Sequence, residues 1–261
     1  MSKPLFSVVC PTYNSAEFIG NTLKSVIEQT YAASEIVVVD DGSTDNTVQI
    51  ILAVKKISSI PIRLIEGKHA GPGVARNLGI NAAMNEWIAF IDSDDFWCSE
   101  KLAVVALSIE KNPLSNIFCH GEYHVSKDGK ITEVDYGQHY DYKAKLSPQL
   151  YMRNYFSTSA VVCSKGLIKK HHGFDEQMMN AQDYELWLKI SGDAIPFFIS
   201  QHLGKYQLRD GNVTSRSVDR KFINLVIIAW RYRYYVSLPI RVLKVAKMAA
   251  SYIKQKFIRL F

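Results

Sequence analysis

The feature that most restricts the fold of this 261-residue chain is a short apolar run, Trp87–Ile91, that ends in three carboxylates. An apolar, aromatic-rich run of this length predicts a buried strand. Asp92, Asp94 and Asp95 follow it, and like charges at a strand end cost free energy unless a cation offsets them. Asp oxygens are hard ligands that suit Mg2+ or Mn2+, with waters and substrate phosphates completing the shell. The alternative is a polar turn with a helix cap, because Asp is common in turns.

Strands and helices alternate in the first part of the sequence. Apolar runs predict strands over Leu5–Cys10, Glu35–Asp40 and Ile60–Ile65, with helical segments between them. The second run is rich in β-branched residues, which is typical of a parallel strand covered on both faces. This order predicts right-handed βαβ units in an α/β fold with an open parallel sheet. Ligands of such sheets bind beyond the carboxyl ends of the strands, where Asp40 and Asp92 fall.

The pattern changes in the second half of the chain. An Asp-Gly dipeptide in Lys127–Lys130 predicts the tight turn of a β-hairpin. We expect a helix over Gln182–Ile190 and a last strand over Ile195–Ser200. From Val218 onward the sequence predicts helix, broken at Pro239.

Basic residues are concentrated at the C-terminal end. Residues 220–261 contain ten Lys and Arg residues and no Asp or Glu, whereas residues 1–219 contain 21 basic and 25 acidic residues. Aromatic and apolar residues lie among the basic ones. The combination favours amphipathic helices on an anionic membrane surface. Nucleic-acid binding and an oligomer interface are alternatives, since basic and aromatic residues serve there too. Four cysteines without a CxxC pair argue against zinc or disulfides and fit a reducing cytosol.

Three further segments bring polar groups to the same sheet edge. Pro11 is expected to stop the first strand, and Pro11–Asn14 then offers polar and aromatic groups to a nucleobase. Asp40 is suited to accepting hydrogen bonds from a base or ribose. Gly71–Asn77 offers a helix N-terminus and the Arg76 guanidinium to a phosphate or base, and lacks the Gly-Lys-Ser/Thr of a P-loop. Each segment also has a plain structural explanation as a strand end, a capped turn or a tight turn.

Asp183 is the candidate general base. A carboxylate aimed at the sheet edge could take a proton from an acceptor hydroxyl. The alternative is structural, because an acidic residue in the first turn of a helix is favourable and Asn180 could provide the cap. Trp187 lies one helical turn after Asp183 on the same face, where it could stack on a sugar or pack in the core.

Together these segments resemble glycosyltransferase family 2, the inverting enzymes with the GT-A fold. The resemblance extends over about residues 5–215 and rests on SVVCPTYN, EIVVVDDGSTDNT, GPGVARNLGI, DSDD, and GFDE followed by QDYELWLKI. It implies a Rossmann-like, mostly parallel central sheet flanked by helices. The catalytic domain would be residues 1–215, with a nucleotide-sugar-binding half (1–98) and an acceptor-binding half (99–215). Residues 216–261 would form basic amphipathic helices that associate with the membrane.

The resemblance also implies a nucleotide-diphosphate sugar donor, a Mn2+ or Mg2+ ion and a single displacement at the anomeric carbon. The residues that it assigns to the nucleotide sugar are Pro11, Thr12, Tyr13, Asn14, Asp40, Arg76, Asp92, Ser93 and Arg209. Asp94 would hold the metal on the diphosphate, with Asp92 and Asp95 sharing that role. Asp183 would be the base that receives the proton of the acceptor hydroxyl.

Two departures from the family pattern concern the same region. Gln182 stands where many members have an acidic residue, and Arg209 stands where many have a His that can complete the metal shell. Arg209 could not bind a metal but could pair with the diphosphate. A third protein ligand is therefore left open. By resemblance, Gln182 and Trp187 are expected to contact the acceptor.

The sequence thus predicts a metal-dependent inverting hexosyltransferase. It would move one sugar from UDP-glucose, UDP-galactose or a UDP-N-acetylhexosamine to a polyprenyl-diphosphate-linked saccharide in bacterial O-antigen or capsule synthesis. We expect it in the cytoplasm, peripheral on the inner face of the membrane through residues 220–261, without a nucleic-acid partner and with a homodimer allowed. The alternatives are a transferase of teichoic-acid or protein glycosylation, a non-catalytic binding module for nucleotide sugars or nucleic acid, and a nucleotidyltransferase. The last of these needs a Gly-rich N-terminal loop, which Pro11–Asn14 is not.

Overall fold

The computed structural model describes residues 3–126, 128–208 and 218–258, which form a mixed sheet with helices against both of its faces. The strands are β1 (Phe6–Thr12), β2 (Glu35–Asp40), β3 (Ile62–Glu66), β4 (Trp87–Phe90), β5 (Phe96–Trp97), β6 (Ile117–Val125), β7 (Ile131–Val134), β8 (Val161–Ser164) and β9 (Pro196–Gln207). The helices are α1 (Ile19–Ile27), α2 (Thr47–Ile57), α3 (Pro72–Ala82), α4 (Lys101–Lys111), α5 (Leu146–Met152), α6 (Lys165–Lys170), α7 (Gln182–Ile190), α8 (Val218–Arg231) and α9 (Leu238–Ile258).

The order of strands in the sheet is β3-β2-β1-β4-β8-β6-β9-β5, with β7 paired to β6. The first four strands are parallel, as the alternating sequence pattern predicts. The second half is mixed, because β8 runs antiparallel to both β4 and β6, and β5 runs antiparallel to β9. The sheet is therefore parallel through β4 and mixed beyond it. The parallel half still brings the carboxyl ends of β1, β2 and β4 to one edge.

Pro11 does not end β1, which continues through Thr12 in register with Asp40 of β2. The backbone carbonyl of Val9 accepts a hydrogen bond from Ile91 N–H at 3.1 Å. The backbone N–H and C=O groups of the odd-numbered residues of β1 therefore point toward β4. Pro11 faces the same way and has no N–H to donate. Pro11 therefore ends the β1–β4 ladder rather than the strand, and the chain leaves the sheet immediately before Asp92.

Alternate residues of the central strands pack into two separate cores. Val8 and Cys10 belong to a cluster that includes side chains of α1 and α4, whereas Val9 belongs to a cluster that includes side chains of α3 and α7. This is the pattern of a strand buried on both faces. Trp187 on α7 is fully buried in the second cluster, against the ring of Phe90.

Three elements differ from the sequence predictions. Strand β9 is twelve residues long, and not the six predicted, because it pairs along the whole of β6 across a bulge at His120–Glu122. Helix α6 was not predicted, and its N-cap Ser164 accepts a hydrogen bond from Leu167 N–H. Pro239 lies in the first turn of α9, where its missing N–H costs nothing, and the helical break falls before it.

The C-terminal helices contribute to the same core as α3, α5 and α7. Ile228, Ala229 and Met248 are buried in the cluster that contains Trp187. The Tyr151 hydroxyl on α5 donates to the carbonyl of Ala229 at 3.0 Å. Among the described residues, we find no helix with the length and apolar character needed to span a membrane.

Neighbouring isoleucines on α8 allow a matched test of this packing. Ile228 is 1% exposed, whereas Ile227 is 42% exposed. We expect Ile228→Ala to lower the free energy of unfolding by about 2–5 kcal/mol, because it leaves a cavity in the shared core. Ile227→Ala should change it by no more than about 0.5 kcal/mol. Urea unfolding of both variants measures the difference, and equal effects would mean that α8 is not anchored to the domain through Ile228.

Candidate active site

The site lies at the carboxyl edge of the parallel strands, as the sequence predicts. Asp41 N–H donates to the carbonyl of Thr12 at 2.8 Å, which holds the ends of β1 and β2 together. The Asp41 carboxylate accepts from the backbone N–H groups of Ala70 and Gly71 at 2.8 and 2.7 Å. It thereby joins the end of β2 to the start of α3, the helix that carries Arg76.

Arg76 and Asp92 form the central ion pair of the site. Nη2 of Arg76 lies 2.6 Å from Oδ1 of Asp92, and the Arg76 side chain is 6% exposed. The guanidinium also lies 5.4 Å from the ring centre of Phe174. Nε and Nη1 of Arg76 are buried and have no hydrogen-bond partner among the residues that the structure describes. A buried guanidinium with two uncommitted donors is suited to an anionic ligand such as a phosphate.

Asp183 lies close enough to this pair to interact with both of its charges. Burial raises the pKa of the Asp183 carboxyl, and the negative charge of Asp92 raises it further. A backbone hydrogen bond from Tyr184 and the charge of Arg76 oppose this shift. The structure thus brings three residues that are far apart in sequence within electrostatic range of one another, and a raised pKa makes the Asp183 carboxylate better suited to accept a proton.

Asp95 points away from the sheet edge and into the protein. It is 3% exposed, and its Oδ2 accepts the hydroxyl of Ser159. The same Ser159 oxygen accepts Asp92 N–H at 3.0 Å. Burial and the charges of Asp94, Asp92 and Glu122 raise the pKa of Asp95 well above its usual range. The bond from Ser159 gives Asp95 a role in fixing the acidic loop, whereas its Oδ1 has no partner among the described residues, so its expected share in metal binding stays a prediction.

Lys101 supplies a positive charge behind the acidic loop. Its side chain is fully buried, and its Nζ donates to the Ser159 carbonyl at 2.8 Å and lies 3.4 Å from the centre of the Trp97 ring. Burial lowers the pKa of Lys101 well below its usual value, while Glu122 and Asp95 act to raise it. Sequence reasoning missed Lys101 and Ser159, because neither stands in a recognisable motif.

Ser93 has its hydroxyl turned toward helix α1. Its Oγ lies 2.7 Å from Oγ of Ser15, and its carbonyl accepts the Thr22 hydroxyl at 3.0 Å. Thr22 also donates to the carbonyl of Asp95 at 2.9 Å. These bonds clamp the loop from Asp92 to Asp95 against α1. A contact from Ser93 to the nucleotide sugar would have to replace the bond to Ser15.

The predicted nucleobase residues have mixed positions. Both carboxylate oxygens of Asp40 accept from Ser43, one from its N–H at 2.9 Å and one from its hydroxyl. Asp40 therefore builds the capped turn that was the structural alternative. The Tyr13 ring lies against that of His69, with 4.3 Å between ring centres and a tilt of 37°, and sequence reasoning did not single out His69. The Asn14 side chain accepts Thr44 N–H at 2.8 Å.

Pro11 and Thr12 form the end of β1 beside this turn, and the buried Thr12 hydroxyl has no partner among the described residues. Trp187 is fully buried, so it packs in the core and the expectation that it contacts the acceptor is not met. Gln182 is also buried, with an Oε1 that no described residue contacts. Arg209 lies outside the described residues.

The acidic loop fits a metal ion that is held mainly by its substrate. Within residues 3–126, 128–208 and 218–258, no three Asp, Glu, His or Cys side chains are arranged to hold a metal by themselves. Asp94 is half-buried, and the Asp92 side chain is 32% exposed, so hard oxygen donors stand at the loop surface. One or two carboxylates together with substrate phosphates is the usual ligand set of Mg2+.

This fold and site define a class of α/β proteins whose ligand sites lie at the carboxyl ends of parallel strands. The family model for glycosyl transferase family 2 matches residues 7–170. The chain belongs to this family.

Two bacterial relatives show how far the similarity extends. The chain is 31% identical to the Escherichia coli UDP-Glc:alpha-D-GlcNAc-diphosphoundecaprenol beta-1,3-glucosyltransferase WfgD over 74% of this chain and 72% of that protein. It is 30% identical to an uncharacterized glycosyltransferase of Rickettsia conorii over 85% of this chain and 36% of that protein. The chain thus spans only about a third of the length of that rickettsial relative.

Solved structures share the architecture. The S. aureus TarS fragment 1–349 in complex with UDP-GlcNAc matches with a TM-score of 0.73 over 94% of this chain and 71% of that chain, at 22% identity. The same fragment in complex with UDP matches with a TM-score of 0.65 at 25% identity, over 86% of this chain and 64% of that chain. The expected GT-A fold is confirmed.

The raised pKa of Asp183 predicts how stability depends on pH. Below the ordinary carboxyl pKa the acid is protonated in both folded and unfolded states and costs nothing. As pH rises from that value through the raised folded pKa, burial of the charge costs stability, and the cost is complete above it. Asp183→Asn should therefore raise the melting temperature at pH 7 and have no such effect at pH 3.

Asp45 is the matched control with the opposite sign. Burial opposes its ionisation, but hydrogen bonds from Thr47 and Ala16 N–H outweigh this and lower the pKa of Asp45. Asp45→Asn should lower the melting temperature at pH 7 and lose that effect as pH falls through the lowered pKa. Differential scanning calorimetry from about pH 3 to 8 checks both variants, because carboxyl groups titrate within this range. A loss of stability in Asp183→Asn at pH 7 would contradict the raised pKa of Asp183.

Proposed function

We propose that this protein is an inverting glycosyltransferase that moves a single hexose from a UDP-sugar to a hydroxyl group of a lipid-diphosphate-linked saccharide. The observation that carries the proposal is the meeting of Arg76, Asp92 and Asp183 at the edge of the parallel sheet. A cation for a diphosphate, carboxylates for a metal and a base for a hydroxyl are the groups that this reaction requires.

The donor assignment has two supports. Arg76 has buried N–H groups that no described residue satisfies, which suits a diphosphate. The E. coli relative is named for UDP-glucose, and one similar structure is a complex with UDP. UDP-glucose is therefore the donor to test first, with UDP-galactose and UDP-N-acetylhexosamines as the other sugars of the same class.

In the proposed reaction Asp183 accepts the proton of the acceptor hydroxyl as its oxygen attacks the anomeric carbon. The bond from that carbon to the diphosphate breaks on the opposite face, so the configuration inverts. Negative charge grows on the leaving diphosphate, and Arg76 lies where it can stabilise that charge. The ion pair of Arg76 with Asp92 fixes the direction of the guanidinium before the charge develops.

A divalent metal fits beside this pair. Asp94 and Asp92 would hold it, and Ser159 and Thr22 would keep their loop in place. A bound Mn2+ or Mg2+ would supply positive charge to the diphosphate. Asp95 is turned inward and supports the loop through Ser159.

Helix α8 supports the proposal of a membrane-linked acceptor. Ile223, Ile227 and Trp230 follow each other at helical spacing, and all three are well exposed. Arg233 lies 4.1 Å from the ring centres of both Trp230 and Tyr234. An apolar row with aromatic residues and arginine at its end suits the interface of an anionic bilayer. We therefore propose peripheral attachment to the cytoplasmic membrane face through residues 220–261.

Two variants separate donor binding from transfer. Asp94→Ala should abolish the stabilisation that UDP and Mn2+ give together, which is about 2.7 kcal/mol at a hundredfold excess over Kd for the unaltered protein. Asp183→Asn should keep that stabilisation and lose about 10²- to 10⁴-fold in transfer, because only the base is removed. Thermal shift with UDP, GDP, CDP and dTDP, each with and without Mn2+, measures binding. Transfer from UDP-glucose to a GlcNAc-diphosphate lipid measures turnover, and unchanged turnover in Asp183→Asn would remove it from the mechanism.

The membrane surface can be tested without a substrate. The variant I227A/W230A should bind vesicles that contain anionic lipid about tenfold or more weakly, because it removes apolar area from the exposed row. Ile57 on α2 is 86% exposed and gives a matched control, since Ile57→Ala should change nothing. Co-sedimentation with vesicles measures both variants. Equal binding by all of the proteins would exclude α8 as the attachment surface.

A further inference from the structure

Helix α7 is fixed in place by a buried carboxylate on the side opposite Asp183. Glu185 follows Asp183 by two positions, so on a helix with 3.6 residues per turn its side chain leaves the opposite side. Glu185 is 1% exposed. A buried carboxylate costs a great deal of free energy unless it is paired and hydrogen-bonded. The partners of Glu185 therefore determine where α7 can lie.

Arg231 is the partner that joins Glu185 to a second element. Its Nη1 donates to Oε1 of Glu185 at 2.9 Å and to Oδ2 of Asp175 at 2.7 Å. The Tyr232 hydroxyl donates to the same Glu185 oxygen at 2.7 Å, and Lys189 Nζ lies 3.1 Å from the other oxygen. A single guanidinium from the end of α8 thus bridges the base helix and the loop that contains Asp175.

The loop of residues 173–176 also contacts helix α3. Oδ1 of Asn77 accepts Phe174 N–H at 2.8 Å, and Nδ2 of Asn77 donates to the Phe174 carbonyl at 2.9 Å. Asn77 directly follows Arg76, whose guanidinium faces the Phe174 ring. A side chain at Gly73 would place its Cβ 2.9 Å from the Asp175 carbonyl, so α3 and the loop are in close contact. One loop therefore joins the donor side of the site to the base side.

We propose that Arg231 is a positioning residue for the transfer reaction, which fixes α7 against the loop of residues 173–176 and so keeps Asp183 beside Arg76 and Asp92. The inference rests on the proposed function, because that function makes Asp183 the base. Arg231 acts from the far side of α7 and through Glu185. Displacement of a reacting group by about 1 Å can lower a rate about 10²-fold, so a tie of this kind affects turnover without touching substrate.

The first test replaces Arg231 and compares turnover with binding. Arg231→Met should lower kcat about 10- to 100-fold, while donor KM and the Kd of UDP with Mn2+ stay within about twofold, because only the base is displaced. Arg63→Met is the matched control, since Arg63 pairs with the buried Glu35 at the start of β2 and donates to the Ala82 carbonyl, away from α7 and from the proposed membrane surface. Its kcat should stay at the value of the unaltered protein.

Two more variants separate positioning from stability. Arg231→Met leaves Glu185 buried with fewer partners and so lowers stability, whereas R231M/E185Q removes both charges. The double variant should regain thermal stability and keep the lowered kcat. Arg231→Lys retains the charge and should recover part of kcat. Full turnover in R231M/E185Q, or a fall in UDP affinity as large as the fall in kcat, would overturn the proposal.

A readout that needs no turnover distinguishes this proposal from the proposed function. Hydrogen exchange of the amides of residues 182–190 should be faster in Arg231→Met than in Arg63→Met, because α7 loses its tie to the loop. Unchanged exchange over residues 182–190 would refute the positioning role whatever the enzyme activity. Absence of transfer by the unaltered protein, with faster exchange in Arg231→Met, would instead refute the proposed function.

Discussion

Repulsion among carboxylates at the end of β4 is the constraint on which the rest of this structure depends. Asp92, Asp94 and Asp95 follow a buried strand, and Asp183 reaches the same place from another helix. One cation on each side of the loop offsets this repulsion. Arg76 pairs with Asp92 at the ligand edge, and the buried Lys101 lies behind Asp95. The carboxylates at the surface keep an affinity for further positive charge, which a metal ion would satisfy.

Each of these cations requires a particular piece of the fold. Arg76 reaches the edge because Asp41 holds the start of α3 against the end of β2. Lys101 is buried because α4 packs under the sheet, with the Trp97 ring covering the ammonium group. The charge balance of the acidic loop therefore depends on how the fold places α3 and α4.

The parallel half of the sheet and its ligand edge could be predicted from the sequence. The residues that hold this edge in place could not. Strand β2 and helix α7 have the predicted bounds, because β-branched density and helical spacing are local signals. Ser159 and Lys101 act through contacts between residues 58 or more positions apart, which no spacing rule detects. Arg231 is likewise 56 and 46 positions away from its two carboxylates, Asp175 and Glu185. Trp187 was ambiguous from its helical position alone, and its burial decided that it belongs to the core.

Pro11 gives the ligand edge a property that packing alone could not give it. Because an imino acid has no N–H, Pro11 cannot donate the next hydrogen bond of the ladder between β1 and β4, whatever the solvent, temperature or ligand. The point at which the acidic loop leaves the sheet thus coincides with the proline ring, which takes the place of an N–H group. The separation of β1 from the acidic loop therefore exists before any ligand binds. The entropy lost in ordering this edge is lost during folding. Donor binding therefore does not have to break a hydrogen bond from Pro11 to β4.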